Sequence, residues 1–352
     1  MRIAFESESL RESPSYPLVG VGKSQLLLMK YVHRNYPDVE LLCFSRKAIR
    51  EDLPFPVERV RWSNTSSGHS ALQRRLGDCD LLHYHSNGGL LSFLQGKRTV
   101  LVIHDVLPLE TPGDFIDANL RVRYVEETQR NIDAADLILT VSAYSRGEIE
   151  RNFNVRGKTI HILHLAPTLE TAEAVVARGD YYLYCGGYHR RKGLIQLLQS
   201  FIEAPVRRRL VFVGRPNYFS PWFRMLTRQA TAAGILTEMG YVSDDRLRYI
   251  LSHARAMIYP SKYEGFGLPP LEAMAVGTPV IATNFSSLPE VCGDAALYCD
   301  PDRVGDLERA IGELENSPGL AKTMVRRGYE NLKRFDWNAT AKKYMQIITG
   351  EG

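Results

Sequence analysis

Residues 259–283 read YPSKYEGFGLPPLEAMAVGTPVIAT, and the order of events in this stretch decides the architecture of the chain. An apolar run, AMIYPS (256–261), gives way to a loop holding Gly265 and Gly267. Pro269 and Pro270 then stand where prolines suit the first turn of a helix. One helix length later a second apolar run follows, PVIATN (279–284). Strand, glycine loop, helix, strand is the repeating unit of a parallel sheet. The two glycines let backbone come close to a ligand, and the helix N-terminus offers amides to an anion. Glu264 and Glu272 flank this loop, one before it and one expected in the first helical turn, so both should reach the mouth of one pocket. A single glutamate there would be explained by the helix dipole, an effect of about 0.3–1 kcal/mol. Two around a glycine loop suit a different task, accepting hydrogen bonds from sugar hydroxyls beside a bound phosphate.

The same alternation runs through the rest of the sequence. Before residue 167 the β-rich runs are RIAF (2–5), ELLCF (40–44), DLLHYHS (80–86), RTVLVIHD (98–105), DLILTVS (136–142) and TIHILHL (159–165). Helix-like stretches such as KSQLLLMKYVHRNY (23–36) and RVRYVEETQRNIDAA (121–135) separate several of them. After a polar interruption at LAPTLETAEAVVARGD (165–180) the series restarts with YYLYCGG (181–187), RLVFVG (209–214), MGYV (239–242), AMIYPS, PVIATN and AALYCD (295–300). Two such series predict an α/β protein of two Rossmann-like, doubly wound domains, 1–167 and 168–335. Ligands in such sheets bind beyond the carboxyl ends of the strands, so the loops leaving those ends are where chemistry is expected.

Bulk properties narrow the class. The chain has 352 residues, 44% hydrophobic and 24% charged, the composition of a globular protein with a full core. No apolar run approaches a membrane span, and the N-terminus shows no signal-peptide pattern, so a cytoplasmic location is expected. Five cysteines, with no Cys-x-x-Cys, suit reduced buried thiols and argue against a disulfide framework or a zinc knuckle. The net charge is +4; the first 170 residues carry 21 Lys and Arg against 21 Asp and Glu, so the remainder, 23 against 19, holds the whole excess. That modest local excess suits an anionic small ligand and excludes nucleic acid as a partner, which would call for a far more basic stripe. Arg207, Arg208 and Arg209 read as a solvated basic face.

Three loops add chemistry. In YCGGYHRRKGLIQLLQSF (184–201) a strand ends at Gly186 and Gly187 and a helix is expected to begin near Lys192. Arg190, Arg191 and Lys192 then put positive charge at the helix end that disfavours it, which makes sense if a diphosphate sits there. In LVIHDVLPLE (101–110), His104 and Asp105 end an apolar strand on the rim of the cleft, where Asp105 either serves the site or simply caps the turn. Near the start, GVGKSQLL (20–27) ends like a P-loop, but Pro17 occupies the place of that motif's first glycine and offers no amide to a phosphate.

With these residues in view, EGFGLPPLEAMAVGTPVI (264–281), a Glu-x7-Glu pattern, resembles the donor-site motif of retaining GT-B glycosyltransferases of family four. The resemblance covers nearly the whole chain and is tightest over 181–300. It implies two domains facing across a cleft, with the last helix, 336–352, crossing back to the first domain. It further implies that Glu264 contacts the transferred sugar, that Glu272 holds the ribose, and that amides of the loop (Gly265, Phe266, Gly267 and Leu268) hold the diphosphate. Arg191 and Lys192 would neutralise the leaving diphosphate; many members have Arg at the position of Gly187, which here is left as backbone at the donor. His104 would lie near the anomeric carbon. Gly22 would open the first helix under the donor phosphates, with Gly20 in the same turn, Lys23 on the surface and Ser24 entering the helix. Tyr241, Val242 and Ser243 would stand beside the nucleobase.

The implied activity is retaining, metal-independent transfer of a hexose from a nucleotide sugar, GDP-mannose first and UDP-sugars second, to a hydroxyl of a glycan or lipid-linked saccharide. Such acceptors would bring the enzyme into peripheral contact with the inner membrane face. No cofactor is implied beyond the nucleotide-sugar co-substrate. The competing readings are a GT-B sugar-nucleotide epimerase and a nucleotide-binding regulatory module. Asp78 and Asp80 imitate the metal-binding Asp-x-Asp of the other glycosyltransferase fold, but they stand before a buried strand. His83 and His85 share one strand face as two zinc ligands would, with no third ligand in the sequence nearby.

Overall fold

The computed structural model describes residues 1–10, 20–49, 52–63, 65–85, 96–111, 118–173, 179–203 and 208–351. Pro17 and Arg207, singled out above, lie outside them. The chain divides into two compact units: unit 1 comprises Met1–Val106, Asp117–Thr168 and Asp336–Gly352, and unit 2 comprises Leu107–Ile116 and Leu169–Phe335.

Unit 1 is built on a seven-stranded sheet in the order β3-β2-β1-β4-β5-β6-β7. Its strands are β1 (Arg2–Glu6), β2 (Glu40–Ser45), β3 (Glu58–Arg61), β4 (Leu81–His85), β5 (Arg98–Val102), β6 (Leu137–Thr140) and β7 (Ile160–Ile162). Every pairing is parallel. Phe5, Leu42, Phe44, Leu82, Tyr84 and Leu101 are buried in its core, as expected of strands covered on both faces. The strand order reverses between β1 and β4, which opens the ligand-binding crevice of such folds at their carboxyl ends. β3 escapes a reading based on apolar runs because it is a charged edge strand, ERVR, with only Val60 buried.

Unit 2 carries a six-stranded sheet in the order β10-β9-β8-β11-β12-β13, again wholly parallel. The strands are β8 (Tyr181–Cys185), β9 (Arg209–Val213), β10 (Leu236–Glu238), β11 (Ala256–Tyr259), β12 (Val280–Thr283) and β13 (Ala296–Cys299). Tyr182, Tyr184, Phe212, Ile258 and Ile281 fill the core. One strand differs from expectation. MGYV (239–242) is not itself extended structure; the strand ends at Glu238, and Gly240 turns the chain at φ 64°. No helix among the described residues is long and apolar enough to cross a membrane.

Asp78 and Asp80 have a structural explanation. They precede β4 at the amino ends of the strands, where the Asp80 carboxylate accepts from the Arg2 backbone amide at 2.7 Å and Asp78 pairs with the Arg2 guanidinium. They staple two neighbouring strands at the end of the sheet away from the crevice.

Candidate functional site

In unit 2 the loops after β8 and β11 are locked together by close backbone approach. After β8 the chain runs through Gly186, at φ 151°, and Gly187, whose carbonyl accepts from the buried Tyr184 hydroxyl at 2.8 Å. Arg190–Lys192 form a single 3-10 turn, and the α-helix starts only at Leu194. The expected helix start at Lys192 is thus displaced by two residues. The cause is Gly193, in the left-handed region at φ 65°, where a Cβ would stand 2.2 Å from the Pro260 carbonyl oxygen. Only glycine lets the two loops come this close. The contact is completed by the Lys262 amide, which donates to the Arg191 carbonyl at 2.8 Å.

The consequence is that Lys192 is buried under the loop after β11. Its ammonium donates to the Tyr259 hydroxyl at 2.8 Å and pairs with the Glu264 carboxylate. The two side chains are only 7% and 12% exposed. Burial pushes the Glu264 carboxyl up, but Lys192 and then Arg191 outweigh it and hold it below the usual carboxylate range. Glu264 is therefore an anion at neutral pH, set in a field that also favours a phosphate.

The glycine loop itself is held from behind. The Glu264 amide donates to Ser286 Oγ at 3.0 Å, and Ser287 Oγ donates to the carbonyls of Glu264 and Phe266, at 2.9 and 2.6 Å. Gly267 caps the helix Leu268–Ala275 at φ 114°, a conformation in which a side chain would be strained. Pro269 and Pro270 bring no N–H to this helix end, so its amide donors come from Leu268 and the loop before it. Glu272 is buried and stands fifth in the helix, one turn further along than expected. Tyr241 is half exposed and Val242 partly buried, both in the turn between β10 and the helix Asp244–His253, which Ser243 caps through its hydroxyl and the Arg246 amide.

Gly22 and His104 belong to unit 1. Gly20, at φ 51°, starts the helix Val21–Asn35, and Gly22 is buried in its first turn. His104 lies two residues beyond β5, its carbonyl accepting from Ser145 Oγ at 2.9 Å. Its Nε2 is 3.2 Å from Nδ1 of His85, the last residue of β4, and the two rings lie edge to edge and near parallel, with centroids 5.3 Å apart. His83 Nδ1 in turn lies 3.0 Å from the hydroxyl of Tyr344 in the helix Trp337–Thr349. A cavity of about 30 Å³, lined in part by Ser24, Gln25, the three histidines and Thr340, adjoins this row. Burial lowers all three imidazoles, His83 to about 3, His104 to about 4 and His85 well below the ordinary value, so the row is neutral at pH 7.

Sequence reasoning missed Tyr259, Gly193, Ser286, Ser287 and the pairing of His85 with His104. Of these only Gly193 had a visible signal, as a glycine directly after a basic triplet. The others act through contacts between loops far apart in sequence.

Comparison with known proteins places both halves. The family described as glycosyl transferases group 1 matches residues 171–331, and glycosyltransferase family 4 matches residues 19–166. O-antigen chain mannosyltransferase B of Escherichia coli is 32% identical, over 96% of each chain. The MMP alpha-(1->4)-mannosyltransferase of Mycolicibacterium hassiacum is 28% identical over 78% of this chain and 72% of its own. Among solved structures, sucrose-phosphate synthase from Thermosynechococcus elongatus superposes with a TM-score of 0.81 at 19% identity, covering 99% of this chain and 98% of that one. Anabaena Alr3699/HepE in complex with UDP and glucose gives 0.75 at 18% identity, covering 99% and 100%. At such identities the structural likeness speaks for the fold, which is GT-B.

Proposed function

The chain belongs to the group 1, family 4 glycosyltransferases, and from that premise we propose that it is a retaining mannosyltransferase using GDP-mannose without a bound metal. The acceptor in this reading is a hydroxyl of a glycan or lipid-linked saccharide, in line with the O-antigen chain mannosyltransferase that it resembles over nearly its full length. The observation that carries the mechanism is the buried Lys192–Glu264 pair beside the glycine loop.

In the proposed reaction the bond between the anomeric carbon and the diphosphate oxygen breaks, and negative charge grows on the leaving group. Lys192 and Arg191 stabilise that charge together with the Phe266, Gly267 and Leu268 amides, with the backbone at Gly187 and Gly265 giving the diphosphate room. The acceptor oxygen bonds to the anomeric carbon on the same face, and its proton passes to the departing phosphate oxygen. Glu264 accepts from hydroxyls of the transferred sugar, Glu272 from the ribose, and Tyr241 and Val242 flank the base. Gly22 brings the first helix of unit 1 to the donor phosphates, and His104 contacts the sugar.

The test is incubation of the protein with a panel of GDP- and UDP-sugars and a mannan or O-polysaccharide acceptor, in excess chelator. Transfer from GDP-mannose is expected, with proton NMR of the fresh product showing the donor's anomeric configuration. An inverted linkage, or activity that returns only with added magnesium or manganese, would refute the mechanism. Transfer from UDP-sugars alone would refute the donor assignment, and an epimer formed from donor alone would replace transfer with isomerisation.

A further inference from the structure

We propose that His85 is a positioning residue that fixes which nitrogen of His104 carries the proton. The inference deepens the reading of His104 as a contact to the transferred sugar and rests on it for its functional consequence.

The geometry sets up a choice between two states. His85 and Val102 are paired across β4 and β5, so the side chain at the end of β4 meets the residue two places beyond the end of β5. The rings of His85 and His104 lie within 9° of parallel, with His85 Nδ1 and His104 Nε2 3.2 Å apart. Both imidazoles are neutral, because burial opposes the charged form. One proton therefore lies between the two facing nitrogens, and its owner decides the tautomer of both rings.

The far side of His85 decides between them. His85 is 7% exposed, and its Nε2 is buried with no hydrogen-bond partner among the described residues. If His104 donated from Nε2, a neutral His85 would have to keep its own proton on Nε2, as a buried N–H with no acceptor. If His85 donates from Nδ1, its Nε2 is a bare lone pair instead. Orphaned buried N–H groups are the rarer of the two in proteins. His83 packs edge-on against His85 with centroids 5.2 Å apart and is itself 3.0 Å from the Tyr344 hydroxyl, so the ring of His85 is held from behind. The favoured arrangement leaves His104 protonated at Nδ1. In that form His104 offers a hydrogen-bond donor to a sugar hydroxyl from Nδ1, rather than an acceptor.

The experiment reads the tautomer directly. Two-bond proton–nitrogen correlation spectra of protein labelled with nitrogen-15 in histidine distinguish the two forms, and a His104→Gln variant assigns the signals. Wild type should show His104 protonated at Nδ1. His85→Asn places an amide near the position of Nδ1 and should retain that form; His85→Phe and His85→Gln should lose it. Loss of one hydrogen bond of ordinary strength predicts a fall in kcat of roughly threefold to tenfold in the latter two variants, with His85→Asn close to wild type. If His85→Phe does not fold, the comparison of His85→Asn with His85→Gln decides alone. A wild-type His104 protonated at Nε2, or one whose tautomer is the same in every variant, overturns the proposal. A tautomer that shifts while turnover does not supports the role of His85 and sinks the sugar-contact reading of His104 instead.

Discussion

Replacing Lys192 by methionine should expose how much of unit 2 rests on one buried charge. The methionine keeps most of the aliphatic volume, so the loss is electrostatic. Removing one member of a buried ion pair costs about 3–5 kcal/mol, because the other is left charged and uncompensated. Lys192 and Glu264 fall in that class, at 7% and 12% side-chain exposure. Arg191, which also acts on Glu264, moderates the effect and argues for the lower end. Glu264→Gln should be destabilising for the converse reason, as the buried Lys192 ammonium would lose the carboxylate that balances its charge. The double variant, Lys192→Met with Glu264→Gln, should be more stable than the sum of the two predicts, with a coupling of about 2–3 kcal/mol.

The pH dependence has a definite sign. In wild type the folded carboxyl of Glu264 lies below its unfolded value. Its contribution is therefore present above the unfolded pKa and lost as pH falls through the folded one. Without Lys192 the carboxyl loses the strongest influence that lowers it, and the folded pKa moves up towards the unfolded one. The contribution that wild type loses on acidification is then smaller in the variant, and its deficit against wild type shrinks as pH falls. Hydrogen exchange under urea, read on peptides from 259–275, isolates unit 2 and gives the stability at pH 7.5 and pH 5. A deficit below about 1 kcal/mol at pH 7.5, or one that does not change with pH, would refute the account of this pair.

Two further outcomes follow from buried carboxylates. Glu6, at the carboxyl end of β1, is raised to about 7 by burial, so its ionisation opposes folding. The stability it allows below pH 4.5 is lost as pH rises through about 7, and Glu6→Gln should be the more stable protein above pH 7, by up to about 3 kcal/mol in denaturant titrations. If Glu272 holds the ribose as proposed, Glu272→Ala should weaken donor binding, measured by calorimetry with the nucleotide sugar, while leaving turnover at saturation nearly intact, because such a contact is the same before and during transfer.

The sheets were legible because their strands are buried on both faces and read as unbroken apolar runs. The edge strand Glu58–Arg61 was not, since at an edge the charge pattern reflects solvent rather than core. The glycine loop was legible because the spacing is local: a strand end, two glycines and a helix start within ten residues, although Glu272 falls a turn deeper in the helix than expected. What a linear reading cannot supply is approach between loops. The helix start was misplaced because Gly193 answers to Pro260, far along the chain. Tyr259 looked like a core strand residue, and it is one, yet its hydroxyl also receives the ammonium of Lys192. His83 and His85 form a metal-like pattern in the sequence, whereas their partners, Tyr344 and His104, come from a distant helix and from the loop after a neighbouring strand.

The return of the last helix to unit 1 has a bearing on how the chain is made. Trp337 Nε1 donates to the Pro167 carbonyl at 2.9 Å, Thr340 Oγ1 to that of His164 at 2.9 Å, and Tyr344 meets His83 in the core of unit 1. On a ribosome, unit 1 is therefore begun first and closed after unit 2, whose six strands run in sequence from β8 to β13 and can be complete before the last helix of unit 1 emerges. Until Tyr344 emerges, the histidine row lacks its hydroxyl partner and the sheet one of its covering helices. The order in which the two units mature is thus opposite to the order in which they begin, with the face that carries His104 closed only by a helix translated after the strands of unit 2.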